Sequence, residues 1–113
     1  MATIPQIQTG LGRYIDIELL PAFEGWKKVL IGGASGLMLR NLPSLAASYG
    51  THPVVAALGV YNAANHTIDV DALASAFLPR MGAETIPITI PGGITIRLAK
   101  ADLETAIRYI KEA

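Results

Sequence analysis

The 113-residue chain contains no cysteine, which excludes disulfide bonds, thiolate nucleophiles and cysteine-ligated zinc. Charged residues are scarce as well: they make up 16% of the chain, and nine basic side chains balance nine acidic ones. Because nucleic-acid binding requires a basic face, this balance predicts no nucleic acid partner.

Catalytic and metal-binding motifs are also missing. The only histidines, His52 and His66, show no spacing typical of metal ligands. No serine lies in a nucleophile-elbow sequence, and no Walker phosphate-binding string occurs. We therefore expect no metal, no cofactor and no enzymatic activity.

No segment of the sequence has the composition of a membrane span. Residues 41–68 contain no Lys, Arg, Asp or Glu, but Pro43, Pro53 and both histidines interrupt them, whereas a span needs about 20 predominantly apolar residues. The N-terminal stretch lacks the basic region of a signal peptide. These features predict a soluble, cytoplasmic protein. Peripheral membrane attachment through residues 29–60 is the third-ranked alternative for its function.

Apolar residues are abundant, at 51% of the chain. The length predicts a single domain over residues 1–113, and so small a globule has a high ratio of surface to volume. It is therefore expected to expose apolar surface to a partner, and a homo-oligomer is the first expectation.

Hydrophobic periodicity predicts an α+β fold: a helical N-terminal two-thirds, then a β-hairpin at about 85–90 and 94–98 covered by a C-terminal helix. The first helix is expected from about Pro5 to Leu20, with Gly10 and Gly12 moving its start towards Leu11. Pro21 suits the first turn of a second helix. The predicted ends of the later helices are Gly50, Gly59 and Met81, and Asp69 or Asp71 is expected to cap the last of these.

The hairpin sequence TIPITIPGGITIRL also predicts its own register. A three-residue loop, Pro91-Gly92-Gly93, pairs Ile90 with Ile94, Ile88 with Ile96 and Ile86 with Leu98, which collects the aliphatic side chains on one face. Proline first and glycine last favour a type I turn closed by a left-handed residue.

The segment KVLIGGASGLMLR resembles the cofactor loop of short-chain dehydrogenases, a strand followed by a glycine-rich turn. It departs from that pattern in carrying Ile31 before the glycines and Met38 in place of the last one, and the chain lacks the family's Tyr-x-x-x-Lys. The residues before it have helical spacing. We therefore predict a helix whose small residues allow a second helix to approach closely.

Two sets of residues follow from these alternatives. The favoured hypothesis is self-association of a non-catalytic assembly or interaction protein, through the following predicted interface residues: Trp26, Val29, Gly32, Gly33, Gly36 and Leu37. The alternative is binding or sequestration of a small ligand such as a nucleotide, for which the following residues are candidates: Gly32, Gly33, Ser35, Gly36, Arg40 and Arg97.

The C-terminal half contains GVYNAANHTIDVDALASAF and IPITIPGGITIRLAKADLETAIRYIKEA. It resembles the C-terminal part of small uncharacterised proteins encoded in prophages of Gram-positive bacteria. The matching positions are the aliphatic-acidic alternation of residues 68–71, the hairpin, and the Tyr-Ile-Lys-Glu end at 109–112. The resemblance implies a phage protein without enzymatic activity that acts in the host cell or in the virion. Other phage or host proteins are then its expected partners.

Overall fold

The structure is a computed structural model that describes residues 1–81 and 85–113. The strands are β1 (Ala2–Thr3), β2 (Tyr61–Asn62), β3 (Thr67–Ile68), β4 (Ile86–Ile90) and β5 (Ile94–Leu98). The helices are α1 (Ile4–Tyr14), α2 (Gly25–Arg40), α3 (Leu42–Gly50), α4 (Pro53–Leu58), α5 (Val70–Met81) and α6 (Lys100–Glu112). A π-helical turn (Ile15–Leu19) and a 3₁₀ turn (Leu20–Ala22) join α1 to α2. The α+β class predicted from the sequence is confirmed.

Helices α1 and α6 cross at close range around Gly10. A methyl group at Gly10 would overlap the backbone of Ile110, whose nitrogen would lie at 2.7 Å, and would approach the carbonyl oxygen of Tyr109 to 2.9 Å. The prediction that Gly10 delays the start of the helix is therefore wrong. Helix α1 begins at Ile4, because Thr3 caps it and accepts a hydrogen bond from the Gln6 amide at 3.2 Å.

Short strands fasten the N-terminus to the middle of the chain. Strand β3 lies between β1 and β2 and is antiparallel to both, with Ala2 opposite Ile68 and Tyr61 opposite Ile68 on the other side. The predicted cap of the next helix is confirmed for Asp69, whose Oδ1 accepts a hydrogen bond from the Ala72 amide at 3.0 Å. The strands that follow α4 therefore lie beside the start of α1, and α5 follows β3.

The hairpin register is confirmed pair by pair, from Ile90 opposite Ile94 to Ile86 opposite Leu98. The predicted turn type is wrong in one respect: Gly92 as well as Gly93 has a positive φ, at +113° and +89°. A positive φ at the second central residue is the requirement of a type II turn, which also accepts proline at the first.

The aliphatic face of the hairpin is covered in part, and Ile86 and Ile88 of β4 stay 43% exposed. Ile90, Ile94 and Ile96 are buried in one cluster with Ile31 of α2, and the turns that precede α2 pack against the same cluster. Helix α6, the predicted cover, packs mainly against α1, and an apolar pocket that Leu103 helps to line separates it from this side of the hairpin.

The second helix begins later than Pro21 predicts. Pro21 lies in the 3₁₀ turn, Phe23 has extended backbone, and α2 starts only at Gly25. The ends predicted at Gly50, Gly59 and Met81 agree with α3, α4 and α5.

Candidate functional site: the outer face of helix α2

Helix α2 is apolar around its whole circumference. From Val29 to Leu39 it carries no charged residue, and its cations are confined to Lys27 and Lys28 at the start and Arg40 at the end. A surface helix of a small domain normally has one polar face. Helix α2 departs from that pattern, because its second face is apolar as well.

The inner side of α2 is occupied by the protomer. Ile31 is completely buried among the isoleucines of the hairpin, and Ala34 packs against the same cluster. Gln8 of α1 donates a hydrogen bond to the Leu39 carbonyl at 2.8 Å, which ties the two helices together at the end of α2. The orientation of α2 about its own axis is therefore fixed from inside.

The outer side of α2 is uncovered. Trp26, Val29 and Leu37 are 60%, 74% and 55% exposed. A methyl group at Gly33 or Gly36 would meet no heavy atom of the described residues within 4 Å, apart from the backbone of α2 itself. Leu30, at the edge of this side, is 36% exposed and its side chain reaches the hairpin turn at Gly92. We refer to the outer face as the following residues of α2: Trp26, Val29, Leu30, Gly33, Gly36, Leu37 and Arg40.

Five of the six predicted interface residues lie on the outer face, and Gly32 does not. A methyl group at Gly32 would contact the Leu20 side chain of the same chain at 3.9 Å. Gly32 and Gly36 are one helical turn apart in the sequence, yet only Gly36 has open space beside it in the structure. The structure instead places Gly33 at the middle of the exposed side.

The structure does not assemble the predicted ligand site. The amides of Gly32, Gly33, Ser35 and Gly36 lie inside α2, where backbone N–H groups bond to carbonyls four residues earlier rather than to a phosphate. Ser35 lines an apolar pocket between α6, the hairpin and α2, and Arg40 is the last residue of α2. Arg97 lies on β5 in a separate cleft. Five of these six candidates therefore share α2 without forming an anion cradle.

A polar cleft of about 280 Å³, which the sequence did not predict, lies between the π-helical turn, β5 and α6. Glu18, Arg97 and Asp102 line it together with Tyr14. The Tyr109 hydroxyl donates a hydrogen bond to Glu18 at 2.9 Å. No spacing in the sequence could reveal this group, because its members come from three distant segments. The π-helical turn is the one local feature that is often found at functional sites.

Both tyrosines beside this cleft have raised pKa values. Burial is the main cause for Tyr14, and the negative charges of Asp102 and Glu18 raise its pKa further. For Tyr109 the hydrogen bond to Glu18 is the main cause. The two rings also meet edge to face, with centroids 6.2 Å apart. Tyr14 of α1 and Tyr109 of α6 therefore contact each other beside the cleft as neutral phenols.

Two apolar pockets, both open to solvent, lie elsewhere on the protomer. One, of about 380 Å³, is lined by α1, α5, α6 and Ile86, and the other, of about 430 Å³, separates α6 from the hairpin and α2. They share Leu11, Leu103 and Ala106 as walls. The first is lined by apolar side chains alone, so it offers a nucleotide nothing to bond.

Comparison of the chain with protein-family models, with curated proteins and with solved structures finds no match in any of the three. Within residues 1–81 and 85–113, no group of three or more His, Asp or Glu side chains is placed to hold a metal ion. None of the helices in this part of the chain combines the length and apolar character needed to cross a bilayer.

Proposed function

We propose that the protein is a small non-catalytic assembly or interaction protein that self-associates through the outer face of α2. The observation that carries the proposal is that α2 is apolar on both sides while the protomer covers only one. Val29, at 74% exposure, lies on the uncovered side between Trp26 and Gly33.

The outer face has the composition of a protein interface. Aromatic residues and arginine are enriched at such interfaces and other charged residues are depleted, and this face carries one tryptophan and one arginine. Burying a side chain of the size of valine or leucine contributes about 1.5–3 kcal/mol. Three large side chains from each of two copies therefore approach the cost of association, about 4–15 kcal/mol in lost freedom.

The phage-type role is the part of the proposal that rests on the C-terminal resemblance. Self-association through one helix would suit either a subunit of a virion or a protein that acts on host machinery. Genes beside the coding sequence would separate the two: capsid or tail genes favour the virion, and early genes favour a host-directed role.

The matched pair Val29→Glu and Val54→Glu tests self-association. Both valines are exposed, at 74% and 65%, but only Val29 lies on the outer face. We expect light scattering at micromolar concentration to show an oligomer for the wild-type protein and for Val54→Glu, and a monomer for Val29→Glu. A monomeric wild-type protein, or equal behaviour of the two variants, contradicts the proposal.

A further inference from the structure

The outer face has a palindromic spacing about Gly33. With 3.6 residues per turn, positions three, four and seven residues away in either direction lie within about 60° of Gly33 around the helix. These positions are Trp26, Val29, Leu30, Gly36, Leu37 and Arg40. Ile31, on the opposite side of the helix, is fully buried, which confirms that Gly33 points outwards.

Resting on the self-association proposed above, we infer that two copies pair antiparallel through α2, about a two-fold axis at Gly33. Under this symmetry, a residue a given number of positions before Gly33 faces the residue the same number after it in the other copy. Val29 then meets Leu37, and Leu30 meets Gly36. Gly33 meets its own counterpart, where the absence of side chains lets the two backbones approach.

The charge on the outer face distinguishes the two possible directions. Arg40 is its single charged residue within α2. Parallel helices in register would place Arg40 against its own counterpart, and like charges repel. Antiparallel helices place it against Trp26, a cation–π pairing that is also common at interfaces. Antiparallel helix dipoles further set each positive N-terminus beside a negative C-terminus.

The structure leaves one side of Trp26 available for that contact. Lys27 lies over the indole at 5.9 Å in the same chain, and the residue is still 60% exposed. An indole ring has two faces, so an arginine from the second copy can approach the other one.

Single-cysteine variants test the direction cleanly, because the chain has no cysteine of its own. Each variant is oxidised mildly as the full chain, and disulfide-linked dimers are measured on a denaturing gel. A disulfide needs Cα atoms about 4.4–6.8 Å apart, so only residues that face each other become linked. We expect an equimolar mixture of Val29→Cys and Leu37→Cys to form a linked dimer, while each of these two alone stays unlinked.

The result that overturns the inference is efficient self-linking of Val29→Cys alone, which parallel helices in register would produce. An oligomer that light scattering detects but that links in neither pattern overturns it as well, while the proposed self-association stands. A wild-type protein that stays monomeric overturns both.

Arg40→Gln and Lys28→Gln form a second, charge-based test. Lys28 lies on the other side of α2, so its substitution should leave the dimer dissociation constant unchanged. The symmetric dimer contains two Arg40–Trp26 contacts, so Arg40→Gln should raise that constant roughly fivefold to several hundredfold, the range of two cation–π contacts. Equal constants for wild type and Arg40→Gln contradict the pairing with Trp26.

Discussion

Helices α1 and α2 both carry glycines in mid-helix and use them in opposite ways. At Gly10 of α1 the backbone of α6 lies where a side chain would be, so the glycine is required within the protomer. At Gly33 of α2 the described residues leave the same space empty. A glycine in a helix costs about 1 kcal/mol relative to alanine. The fold recovers that cost in α1, whereas in α2 the proposed second copy would recover it.

The largest effect on the free energy of unfolding is expected on the inner side of α2, which packs within the protomer as α1 does. Ile31→Ala removes a completely buried side chain from the cluster under the hairpin and should lower the free energy of unfolding by about 2–5 kcal/mol. Val29→Ala, two residues away on the outer face, should change it by less than about 0.5 kcal/mol. Denaturant unfolding at two protein concentrations separates folding from association. Similar losses for both variants would show that the two sides of α2 do not differ.

The close crossing of α1 and α6 gives the next largest effect. Gly10→Ala places a methyl group against the Ile110 backbone and should cost about 1–3 kcal/mol of stability, as overpacking does. Gly12→Ala is the control in the same helix, since its methyl group would meet Leu39 at an ordinary 3.7 Å. That variant should gain up to about 1 kcal/mol from helix propensity. Thermal unfolding of the two variants would contradict the close crossing if both became more stable.

The glycines of α1 and α2 show which features can be predicted from the sequence alone and which cannot. Local patterns predicted the hairpin register, because alternating isoleucines around Pro91–Gly93 allow one pairing that keeps them on one face. They also predicted a helix through the glycines of α2. The tight contact at Gly10 was missed, because it depends on a residue 100 positions further along the chain. Propensity alone suggested that this glycine would delay the helix.

The candidate site was only partly predictable, because a local pattern shows which residues of a helix share a face but not what covers that face. Periodicity could group Trp26, Val29, Gly33 and Leu37, but it could not say which side the hairpin covers. The burial of Ile31 settles that question, and it moves Gly32 out of the group. The cleft that holds Glu18 and Arg97 was beyond reach, since the π-helical turn that positions Glu18 has no signature in the sequence.

A smaller effect of opposite sign is expected at the outer face. Gly33→Ala meets open space in the protomer, so in the monomeric Val29→Glu background it should raise the free energy of unfolding by about 1 kcal/mol. In the wild-type background the added methyl group lies on the proposed two-fold axis and should weaken the dimer about tenfold. Unfolding and sedimentation measurements would thus show a more stable protomer and a weaker dimer. A stabilised protomer with an unchanged dimer would remove Gly33 from the interface.

The smallest effect concerns the phenols that tie α1 to α6, a contact that α2 has no equivalent for. Because the pKa values of Tyr14 and Tyr109 are raised, the folded protein holds their protons more tightly than the unfolded chain. This contribution to stability is complete below the ordinary tyrosine pKa of about 10 and is lost as the pH rises through the folded values.

Glu18→Gln removes the carboxylate that accepts the Tyr109 hydrogen bond, so it should lower the pKa of Tyr109 and make the alkaline loss of stability shallower. Phenolate absorbance during a pH titration measures the first effect and denaturant unfolding on either side of pH 10 the second, with Glu24→Gln as a control far from the cleft. If Glu18→Gln titrates like the control, the hydrogen bond to Glu18 is not what holds the proton on Tyr109.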